Sequence, residues 1–398
     1  MNTPAADIPE LKLKPREDRR LRAGHLWVYS NEVDIGATPL SGLAPGAIVR
    51  LSSAEGRFLG YAGVNPHGLI AARILSRDAA RWPDRSLLVH RLKVALSLRE
   101  RLYEHGCYRL LFADGDGVPG LIADRFGEIV VLQSGTAAIE AVKGEVVDAV
   151  RKVLSPAGIL WRNDGSARDL EGLERYVEVA DGQVPDEVTV NEAGVELTAP
   201  IRGGQKTGWF YDQRDNRARL GRYRPASVLD VFSYTGAWGL SAATRGARAT
   251  LVDSSAAALE LAARDAGRLG LEVEALQGQA FDIMKALADE GRSFEAVVVD
   301  PPAFIKRRKD HKAGLAAYQR ANQLAMRLLG RDGLLVSCSC SFHLPQDDLL
   351  LAVQRAARHL DRTVQVLEIG GQSADHPSHP LMPETRYLKA VFCRVLAG

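Results

Sequence analysis

One stretch, residues 228–253, constrains the fold of this chain more than any other. It begins with the apolar run Val228–Phe232, which predicts a buried strand. A turn that contains Gly236 follows, and then a helix that ends at Gly246, a residue suited to a left-handed cap. A second short strand ends in Asp253. A strand, a glycine turn, a helix and a strand that ends in an acid make up one half of a nucleotide-binding α/β sheet.

The glycine turn favours one class of nucleotide cofactor over another. A turn that binds pyrophosphate carries several glycines in the pattern G-x-G-x-x-G, ahead of a helix N-terminus. This chain instead has D-x-F-x-x-x-G-x-x-G from Asp230, with an acid at the end of both strands. Acids suit a ribose and a cationic amino-acid tail, and Asp253 follows Gly236 at about the spacing of a ribose-binding carboxylate. The pattern predicts S-adenosylmethionine, and the alternative is a Rossmann-like sheet with an empty cleft.

The sequence after Asp253 predicts the rest of an α/β domain. Apolar strands alternate with helices, which is typical of a parallel doubly wound sheet. The last two predicted strands, residues 364–369 and 387–395, have no crossover helix between them. We therefore expect the final strand to be antiparallel.

Two smaller units are predicted ahead of this domain. Short apolar runs broken by glycine and proline predict a small β domain near the N-terminus, and a mixed pattern then predicts a central α+β domain. A chain of 398 residues is long enough for two or three domains. The predicted domains are residues 1–76, 77–186 and 187–398.

Composition places the chain among soluble globular proteins. It is 46% hydrophobic and 25% charged, and no apolar run approaches the roughly 20 residues of a membrane span. Residues 1–17 lack the apolar core of a secretion signal. Four cysteines, none in C-x-x-C spacing, argue against a disulfide framework and against a zinc site. We expect a cytoplasmic protein with neither a membrane partner nor a metal.

Basic residues are concentrated near the N-terminus, within the predicted β domain. They are Lys12, Lys14, Arg16, Arg19, Arg20, Arg22 and His25. Such a cluster is typical of an RNA-binding surface, and a solvated charged turn explains it equally well. A net charge of +2 for the whole chain does not decide between the two, because a small total can hide a local basic face.

A polar and aromatic segment, residues 202–217, precedes the first strand of the α/β domain. Its sequence RGGQKTGWFYDQRDNR places charged, amide and aromatic side chains around three glycines, and no core-packing pattern accounts for them. This composition favours a ligand-facing loop that leads into a helix near Asp212, with a plain surface loop as the alternative.

Five polar features follow predicted strands of the α/β domain. They are Asp230 with Gly236, Asp253, Asp282, Asp300 with Pro301–Phe304, and Cys338–Cys340. Ligands of such sheets bind beyond the carboxyl ends of the strands. A common ligand-binding edge explains these five features better than packing does.

The motif that begins at Asp300, DPPAF, suits a planar substrate. The carboxylate of Asp300 or a backbone carbonyl can bind the polar edge of an amide-like ring while Phe304 covers its face. Motifs of this kind mark methyltransferases that act on nitrogen and some that act on carbon. DPPAF alone therefore does not identify the target atom.

Cys340 offers a way to methylate carbon. Carbon 5 of a pyrimidine becomes nucleophilic enough to accept a methyl group when a thiolate adds to carbon 6. Positive charge favours the thiolate, and the basic segment Lys306–Lys309 follows the neighbouring strand. Cys338 shares the face of Cys340 on an extended strand, so either thiol could be the nucleophile. A buried and inert Cys340 is the alternative.

With these residues in view, the chain resembles the bacterial large-subunit ribosomal RNA cytosine-C5 methyltransferases. The segments that carry the resemblance are GHLWVYSNEV (24–33), RLLFADGDGVPGLIADRF (109–126), RNDGSARDLEGL (162–173), GQKTGWFYDQRDNR (204–217), LDVFSYTGAWGL (229–240), DPPAF (300–304) and SCSCS (337–341). Together they extend over nearly the whole chain. The resemblance implies an N-terminal PUA domain that binds RNA, a central α+β domain and a C-terminal Rossmann-like class I methyltransferase domain.

The resemblance also implies roles for individual residues. It makes Cys340 the nucleophile, places Asp300 against the cytosine ring, and closes the loop Lys206–Asn216 over S-adenosylmethionine. The cofactor-binding residues that it implies are Lys206, Thr207, Asp212, Gln213, Arg214, Asp230, Phe232, Tyr234, Gly236, Asp253, Ser254, Asp282 and Asp300. The substrate-binding residues are Pro301, Pro302, Phe304, Lys306 and Arg307.

The implied activity is methylation of a cytosine in 23S rRNA, either free or within a large-subunit precursor particle. Related enzymes often carry a second cysteine just before the proline of this motif, and Asp300 fills that neighbourhood here. The carbon-5 proton is therefore left to Cys338, Asp300 or water. The rival functions are methylation of a guanine or adenine nitrogen and RNA binding without catalysis during ribosome assembly. The oligomeric state stays open, and a homodimer is one option.

Overall fold

A computed structural model describes residues 8–398 of the chain. The first seven residues of the predicted N-terminal domain lie outside the described residues. The chain forms two compact units, each made of three separate segments. The first unit consists of the residues up to Thr189, Pro200–Tyr211 and Ala374–Thr385, and the second consists of Val190–Ala199, Asp212–Ser373 and Arg386–Gly398.

The first unit contains a five-stranded sheet near the N-terminus, which accounts for the short apolar runs. Its elements are β1 (Glu10–Lys12), α1 (Arg19–Arg22), β2 (Trp27–Tyr29), β3 (Ile48–Ser52), β4 (Phe58–Val64) and β5 (Ile70–Ser76). The strands lie in the order β1-β3-β4-β5-β2, and β1 and β3 form the one parallel pair in this sheet. Apolar side chains from every strand form the core. Met382, from the last segment of the unit, is completely buried among them.

A second five-stranded sheet in the same unit packs against helices. Its elements are α2 (Arg85–Leu102), β6 (Cys107–Phe112), β7 (Leu121–Phe126), β8 (Ile129–Ser134), α3 (Ala137–Ala141), α4 (Lys143–Leu154), β9 (Gly158–Asn163) and β10 (Tyr176–Gly182). The strand order is β10-β9-β8-β7-β6. Asp84 caps α2, because its carboxylate accepts a hydrogen bond from Leu87 N–H (3.1 Å).

The second unit is built on the predicted α/β sheet. A two-stranded sheet, β11 (Val188–Glu192) and β12 (Val195–Ala199), precedes it in sequence. The elements that follow are α5 (Arg214–Tyr223), β13 (Ser227–Val231), α6 (Ala237–Ala243), β14 (Arg248–Asp253), α7 (Ala256–Leu269), β15 (Val273–Gln277), α8 (Ala280–Asp289), β16 (Phe294–Val299), α9 (His311–Arg327), β17 (Leu329–Ser339), α10 (Gln346–His359), β18 (Arg362–Gly371) and β19 (Lys389–Ala397).

The seven strands of this sheet confirm the predicted topology. Their order is β15-β14-β13-β16-β17-β19-β18. Neighbouring strands are parallel except at β19, which is antiparallel to both β17 and β18. β13 and β16 lie in the interior of the sheet and are covered on both faces, which explains their nearly continuous apolar sequence.

The strand order reverses at β13. β14 and β15 lie on one side of this strand and the later strands lie on the other, which makes a topological switch point. The register pairs Val231 with both Val252 and Val299. Asp253 and Asp300, one residue farther along, therefore lie at the same edge of the sheet.

The sequence pattern predicts helices over roughly Ile283–Glu290 and Ala316–Leu329, and both begin earlier in the structure. α8 begins at Ala280, so Asp282 lies in its first turn rather than in the preceding loop. An acid in this position interacts favourably with the helix dipole. α9 begins at His311 rather than near residue 316. The sequence pattern missed its first turn because that turn contains Gly314, a residue that weakens the helical signal.

Candidate active site

The turn after β13 has an unusual backbone conformation. Phe232, Tyr234 and Gly236 have positive φ angles of 64°, 50° and 76°. Positive φ is unfavourable for phenylalanine and tyrosine, so surrounding interactions must hold the turn. Ser233 N–H donates to a carbonyl of β14 (3.0 Å), and Tyr234 N–H donates to Oδ2 of Asp253 (2.8 Å). This strained and well-anchored backbone marks the turn as a candidate ligand site.

Gly236 and Gly239 are required by packing at this turn. A Cβ atom added to Gly236 would lie 2.8 Å from Cδ1 of Leu251, and one added to Gly239 would lie 2.3 Å from Cδ2 of the same side chain. Both glycines therefore let the start of α6 approach β14 closely. The sequence predicts that a ligand approaches the backbone at Gly236. The structure shows that the packing of α6 against β14 also requires glycine at this position.

Asp230, near the end of β13, is a completely buried acid. Its Oδ2 accepts a hydrogen bond from Gly239 N–H (2.9 Å), and its Oδ1 has no hydrogen-bond partner within residues 8–398. Burial, together with the nearby carboxylates of Asp300 and Asp253, raises the pKa of Asp230 to about 7. A buried polar atom without a partner calls for a ligand or a proton. A cationic ligand group would stabilise this carboxylate.

Asp253 ends β14 with a half-buried carboxylate. Its Oδ2 accepts from Tyr234 N–H, and its Oδ1 accepts from Ser255 N–H (2.9 Å). Each oxygen retains a second lone pair, which suits the two hydroxyl groups of a ribose. Ser255 also caps α7. Two further predicted cofactor residues, Ser254 next to Asp253 and Asp282 in the first turn of α8, are exposed.

Asp300, the first residue after β16, is held by two side chains. Its Oδ2 accepts hydrogen bonds from Gln213 Nε2 (2.9 Å) and Trp238 Nε1 (3.1 Å). Its Oδ1 receives no hydrogen bond from the part of the chain that the structure describes. Burial raises the pKa of Asp300 to about 6, and the carboxylate of Asp212 contributes to the increase. Trp238 is a site residue that sequence reasoning missed, since nothing in an apolar helix position reveals a polar contact.

The predicted loop Lys206–Asn216 is divided between the two units. Lys206 and Thr207 belong to the first unit, where Thr207 is completely buried and its hydroxyl donates to Asp124 Oδ2 (2.6 Å). The ammonium of Lys206 lies 4.7 Å from the ring centroid of Phe210. The side-chain contacts that these two residues show are therefore structural ones within their own unit.

The second half of the loop contributes to the second unit. Gln213 contacts Asp300, as described above. Asp212 Oδ2 accepts a hydrogen bond from the hydroxyl of Tyr387 (2.5 Å), and Arg214 Nε lies 3.7 Å from a carboxylate oxygen of Glu192. Gln213 is therefore a predicted loop residue that donates a hydrogen bond to an acid of the sheet edge.

Four aromatic rings cluster at this edge of the sheet. The ring centroid of Phe304 lies 6.2 Å from that of Phe232, 6.2 Å from that of Phe281 and 4.9 Å from that of Tyr318. All of these rings except Tyr318 are partly exposed, so they offer an apolar wall to a planar group. Phe281 and Tyr318 were missed by sequence reasoning. The position of Phe281, directly before Asp282 and just past a strand, is the signal that could have revealed it.

The two candidate thiols differ sharply in environment. Cys338 lies within β17 and is completely buried with Trp238 and Phe392 in an apolar cluster. Burial raises the pKa of Cys338 well above its ordinary value. Cys340 follows the end of β17, is only partly buried, and has its Sγ 4.0 Å from the carbonyl oxygen of Pro301.

A buried hydroxyl network fixes the backbone around Cys340. Ser339 Oγ donates to the hydroxyl of Tyr318 (2.8 Å), and that hydroxyl lies 2.9 Å from Ser341 Oγ. Ser341 Oγ also accepts from Ile305 N–H (3.1 Å), just after the DPPAF motif. The serines on either side of Cys340 therefore connect it to α9 and to the loop after β16.

The remaining predicted substrate residues lie in the segment between β16 and α9. Pro301 is buried, whereas Pro302, Lys306 and Arg307 are exposed. No group of histidine, cysteine or acidic side chains within residues 8–398 is arranged to hold a metal ion. None of the helices in the same range is both long and apolar enough to cross a membrane.

The predicted basic surface near the N-terminus is partly neutralised. Arg20 forms an ion pair with Glu32 (2.7 Å), and Arg22 forms one with Asp18 (2.9 Å). Exposed positive charge is also present at Lys14, Arg16 and Arg19, in the segment that joins β1 to α1 and in α1 itself. This surface is therefore smaller than the count of basic residues suggests.

Two family models match parts of the chain. The PUA-like domain matches residues 11–77, and Conserved hypothetical protein 95 matches residues 216–325. The first match covers the N-terminal sheet, and the second covers the first half of the seven-stranded sheet with its helices.

Curated relatives match nearly the whole chain. The Ribosomal RNA large subunit methyltransferase I of Erwinia tasmaniensis is 35% identical over 393 residues, which cover 96% of this chain and 98% of the relative. The protein of the same name from Vibrio cholerae is 34% identical, over 98% of this chain and 100% of the relative. The one from Alteromonas mediterranea is 33% identical, over 96% of this chain and 98% of the relative. The chain belongs to the ribosomal RNA large subunit methyltransferase I family.

Solved structures confirm the fold of this family member. A protein of Streptococcus mutans named as a SAM-dependent methyltransferase superposes with a TM-score of 0.81 at 20% identity, over 97% of this chain and 100% of the other. A structure of SMU.776 complexed with SAH matches equally well. The predicted Rossmann-like methyltransferase sheet with an N-terminal PUA-like domain is therefore confirmed, and the predicted S-adenosylmethionine cofactor agrees with these neighbours.

The residues of this ribosomal RNA large subunit methyltransferase I family member fit that cofactor. Oδ1 of Asp230 lacks a hydrogen-bond partner among the described residues, and the oxygens of Asp253 have capacity for two hydroxyl donors. Phe232 and Phe281 provide partly exposed aromatic surface nearby. This set matches a ligand with a cationic group, a ribose and a planar ring.

Proposed function

We propose that this protein transfers a methyl group from S-adenosylmethionine to carbon 5 of a cytosine in 23S rRNA, through a covalent adduct with Cys340. Membership of the ribosomal RNA large subunit methyltransferase I family supports the RNA substrate. The observation that carries the choice of atom is a partly buried thiol, with Cys340 Sγ 4.0 Å from the carbonyl of Pro301 in the DPPAF loop. A nitrogen methyltransferase has no use for a nucleophile beside its substrate.

Asp230, Asp253 and the turn between them form the proposed cofactor site. When bound there, S-adenosylmethionine supplies an electrophilic methyl group on a sulfonium centre. Asp253 would accept hydrogen bonds from the ribose hydroxyls, and the negative charge of Asp230 would favour the cationic part of the cofactor. The contributions of the first-unit residues Lys206 and Thr207 stay a prediction.

Cys340 performs the first covalent step in this proposal. Its thiolate attacks carbon 6 of cytosine, a C–S bond forms, and the electrons of the C5–C6 double bond shift so that carbon 5 becomes nucleophilic. Carbon 5 then bonds to the methyl group while the bond between that methyl group and the sulfonium sulfur breaks, and the sulfur keeps the electron pair. Loss of the carbon-5 proton drives the electron pair back into the ring, breaks the C–S bond and restores the thiolate.

Asp300 binds the polar edge of the ring in this proposal. A pKa of about 6 means that its ionised and protonated forms are close in free energy near neutral pH. The carboxylate can accept from the exocyclic amino group, and the protonated form can donate to ring nitrogen 3. Donation at nitrogen 3 stabilises the charge that the thiolate brings into the ring. Gln213 and Trp238 hold the carboxyl group in position for either role.

Burial makes one of the three candidate bases for the carbon-5 proton less suitable than the other two. Cys338 is completely enclosed, and its raised pKa makes it a poor source of thiolate at neutral pH. Asp300 and a water molecule are the better candidates, since Asp300 Oδ1 has no donor among residues 8–398.

The experiment that tests the proposal traps the adduct. Large-subunit rRNA that contains 5-fluorocytosine is incubated with S-adenosylmethionine and the wild-type protein, Cys338→Ala or Cys340→Ala. Fluorine at carbon 5 blocks the proton loss that releases the enzyme, so the adduct survives denaturation. We expect it in wild type and Cys338→Ala and not in Cys340→Ala. Full methyl transfer by Cys340→Ala without any adduct would contradict carbon 5 and favour a base nitrogen, and the absence of all transfer would favour a non-catalytic assembly factor.

A further inference from the structure

Lys389 is a buried lysine at the first position of β19. It is only 9% exposed, and its Nζ donates to the carbonyl oxygen of Ser341 (2.6 Å). It forms no ion pair with a carboxylate of residues 8–398. An ammonium group has three N–H bonds, so one neutral acceptor leaves most of its hydrogen-bonding capacity and its whole charge uncompensated. A buried charge without a counter-ion is strongly destabilising.

The backbone register places Lys389 directly beside the proposed nucleophile. Ser339 of β17 is the antiparallel partner of Lys389. The side chain of Lys389 then reaches the carbonyl of Ser341, two residues farther along. Lys389 thus contacts the backbone on both sides of Cys340.

The titratable groups around Lys389 indicate which acidic group can compensate its charge. Burial lowers the pKa of Lys389 to about 8, while Cys340 acts to raise it and Arg386 acts to lower it. Tyr318 of α9 is close to Cys340 as well, but its hydroxyl is occupied by the two serines. Cys338 is enclosed in an apolar cluster, and burial raises the pKa of its thiol well above the ordinary value. Cys340 is therefore the acidic neighbour whose ionisation would compensate Lys389.

We propose that the Lys389 ammonium is the counter-ion of the Cys340 thiolate and holds this cysteine in its nucleophilic form. The pair forms when the S–H bond breaks, the sulfur keeps both electrons, and the proton passes to the Lys389 amine. Lys389 acts through Cys340 and is a positioning residue. Its use in catalysis rests on the proposed function, whereas the pair itself forms without RNA or cofactor.

The test measures the ionisation of Cys340 directly. The intact protein is treated with iodoacetamide between pH 5.5 and 10, and the alkylation rate of Cys340 is followed by mass spectrometry of its peptide. Lys389→Met removes the charge and the hydrogen bond, Lys389→Gln retains a donor for the Ser341 carbonyl without the charge, and Lys389→Arg retains the charge. Arg394→Met removes an exposed cation from the same strand and is the matched control.

We expect both neutral variants to shift the alkylation midpoint upward by about one pH unit, which is about tenfold slower alkylation at pH 7. Lys389→Arg and Arg394→Met should retain a midpoint close to that of wild type. A Lys389→Gln profile that coincides with that of wild type would overturn the proposal. Because no methyl transfer is measured, failure of this pairing is distinct from failure of the carbon-5 mechanism, which the fluorocytosine adduct tests.

Discussion

At the scale of single residues, the sheet edge concentrates carboxyl groups whose ionisation is costly. Asp230 is completely buried and Asp300 is partly buried, and burial raises the pKa of each. The positive charge of Arg217 opposes this rise in both pKa values, but burial outweighs it. Such acids reduce the stability of the ligand-free protein, and they are common where a ligand supplies the missing interaction.

Asp230→Asn should make the protein less sensitive to pH. The folded pKa of Asp230, about 7, lies above its ordinary value of 3.8, so the folded state binds this proton more tightly than the unfolded state does. The free energy of unfolding of the ligand-free wild type therefore falls as pH rises from about 4 to 7. We expect Asp230→Asn to gain about 2–3 kcal/mol relative to wild type between pH 5 and pH 8. Urea unfolding at both pH values measures this.

The exposed acid Asp289, at the end of α8, provides the control for this prediction. Asp289→Asn should follow the wild-type dependence on pH. Curves of stability against pH that are parallel for wild type and Asp230→Asn would show that Asp230 does not carry this proton.

Asp300→Asn should separate methyl transfer from cofactor binding. It retains an acceptor for Gln213 and Trp238 but cannot hold a proton for ring nitrogen 3. We expect kcat to fall by about 10²–10⁴-fold, the usual range for the loss of an acid–base group, with little change in the affinity for S-adenosylmethionine. Transfer of labelled methyl groups and calorimetry measure the two quantities. Asp332→Asn, at an exposed acid of β17, is the control, and equal loss of both quantities would contradict the role of Asp300.

At the scale of elements, the candidate active site lies on two turns, one around Gly236 and one around Cys340. The sequence pattern predicted the first as a turn, but it did not predict the structure of the second. The turn around Gly236 was predicted from its composition, but its left-handed φ angles at Phe232 and Tyr234 were not, since neither residue type favours them. The position of Cys340 after a strand was predicted, but the hydrogen bonds that fix the turn around it were not. The contacts that fix it come from Tyr318, in a helix that is distant in sequence.

Gly236→Ala should test how tightly α6 packs on β14. The substitution adds backbone strain at a φ of 76° and a Cβ atom 2.8 Å from Cδ1 of Leu251. Gly246→Ala adds strain at a φ of 96° with no atom of the described chain within 4 Å of the new Cβ. We expect a loss of about 1 kcal/mol for Gly246→Ala and about 2–4 kcal/mol for Gly236→Ala, measured by urea unfolding.

A double variant isolates the steric part of this difference. In a Leu251→Ala background the added Cβ of Gly236→Ala has room, so its further cost should fall to that of Gly246→Ala. An unchanged cost in that background would mean that backbone strain alone, and not contact with Leu251, makes the glycine necessary.

Tyr318→Phe should loosen the turn that carries Cys340. The variant removes the hydroxyl that joins Ser339 to Ser341 and keeps the ring against Phe304. We expect a fall in kcat with little change in KM, and a loss of stability of about 1–3 kcal/mol from the unsatisfied serine hydroxyls. Steady-state methyl transfer and urea unfolding measure these effects. A variant with reduced stability and wild-type kcat would show that the network serves the fold alone.

At the scale of the whole molecule, the mostly parallel sheet with an antiparallel last strand was predictable, and the assignment of segments to the two units was not. Apolar strands that end in polar residues reveal the seven-stranded sheet, because burial on both faces leaves a strong signal in the sequence. The segment Ala374–Thr385 belongs to the first unit although it lies between β18 and β19 of the second. It has no periodic pattern, so its assignment depends on long-range contacts that a local reading does not contain. The roles of Lys389 and Phe281 were hidden for the same reason.

Met382→Ala should destabilise the first unit specifically. Met382 is completely buried in the core of the N-terminal sheet, and its sulfur accepts a hydrogen bond from Leu26 N–H (3.5 Å). Truncation of such a side chain typically costs about 2–5 kcal/mol. Leu381→Ala, at the adjacent and largely exposed residue, should cost much less. Urea unfolding followed by hydrogen exchange of the β3–β5 amides measures both, and equal effects of the two variants would contradict this role.

The place of Met382 in the core also has a consequence for synthesis on the ribosome. Translation produces β1 to β5 before all strands of the seven-stranded sheet, so these strands emerge long before Met382 is made. The nascent N-terminal sheet lacks one of its buried side chains until the last turn before β19 has left the exit tunnel. Its final packing therefore waits until Met382 has been synthesised, and a chain that terminates before this residue leaves the first sheet unfinished as well as the second unit incomplete.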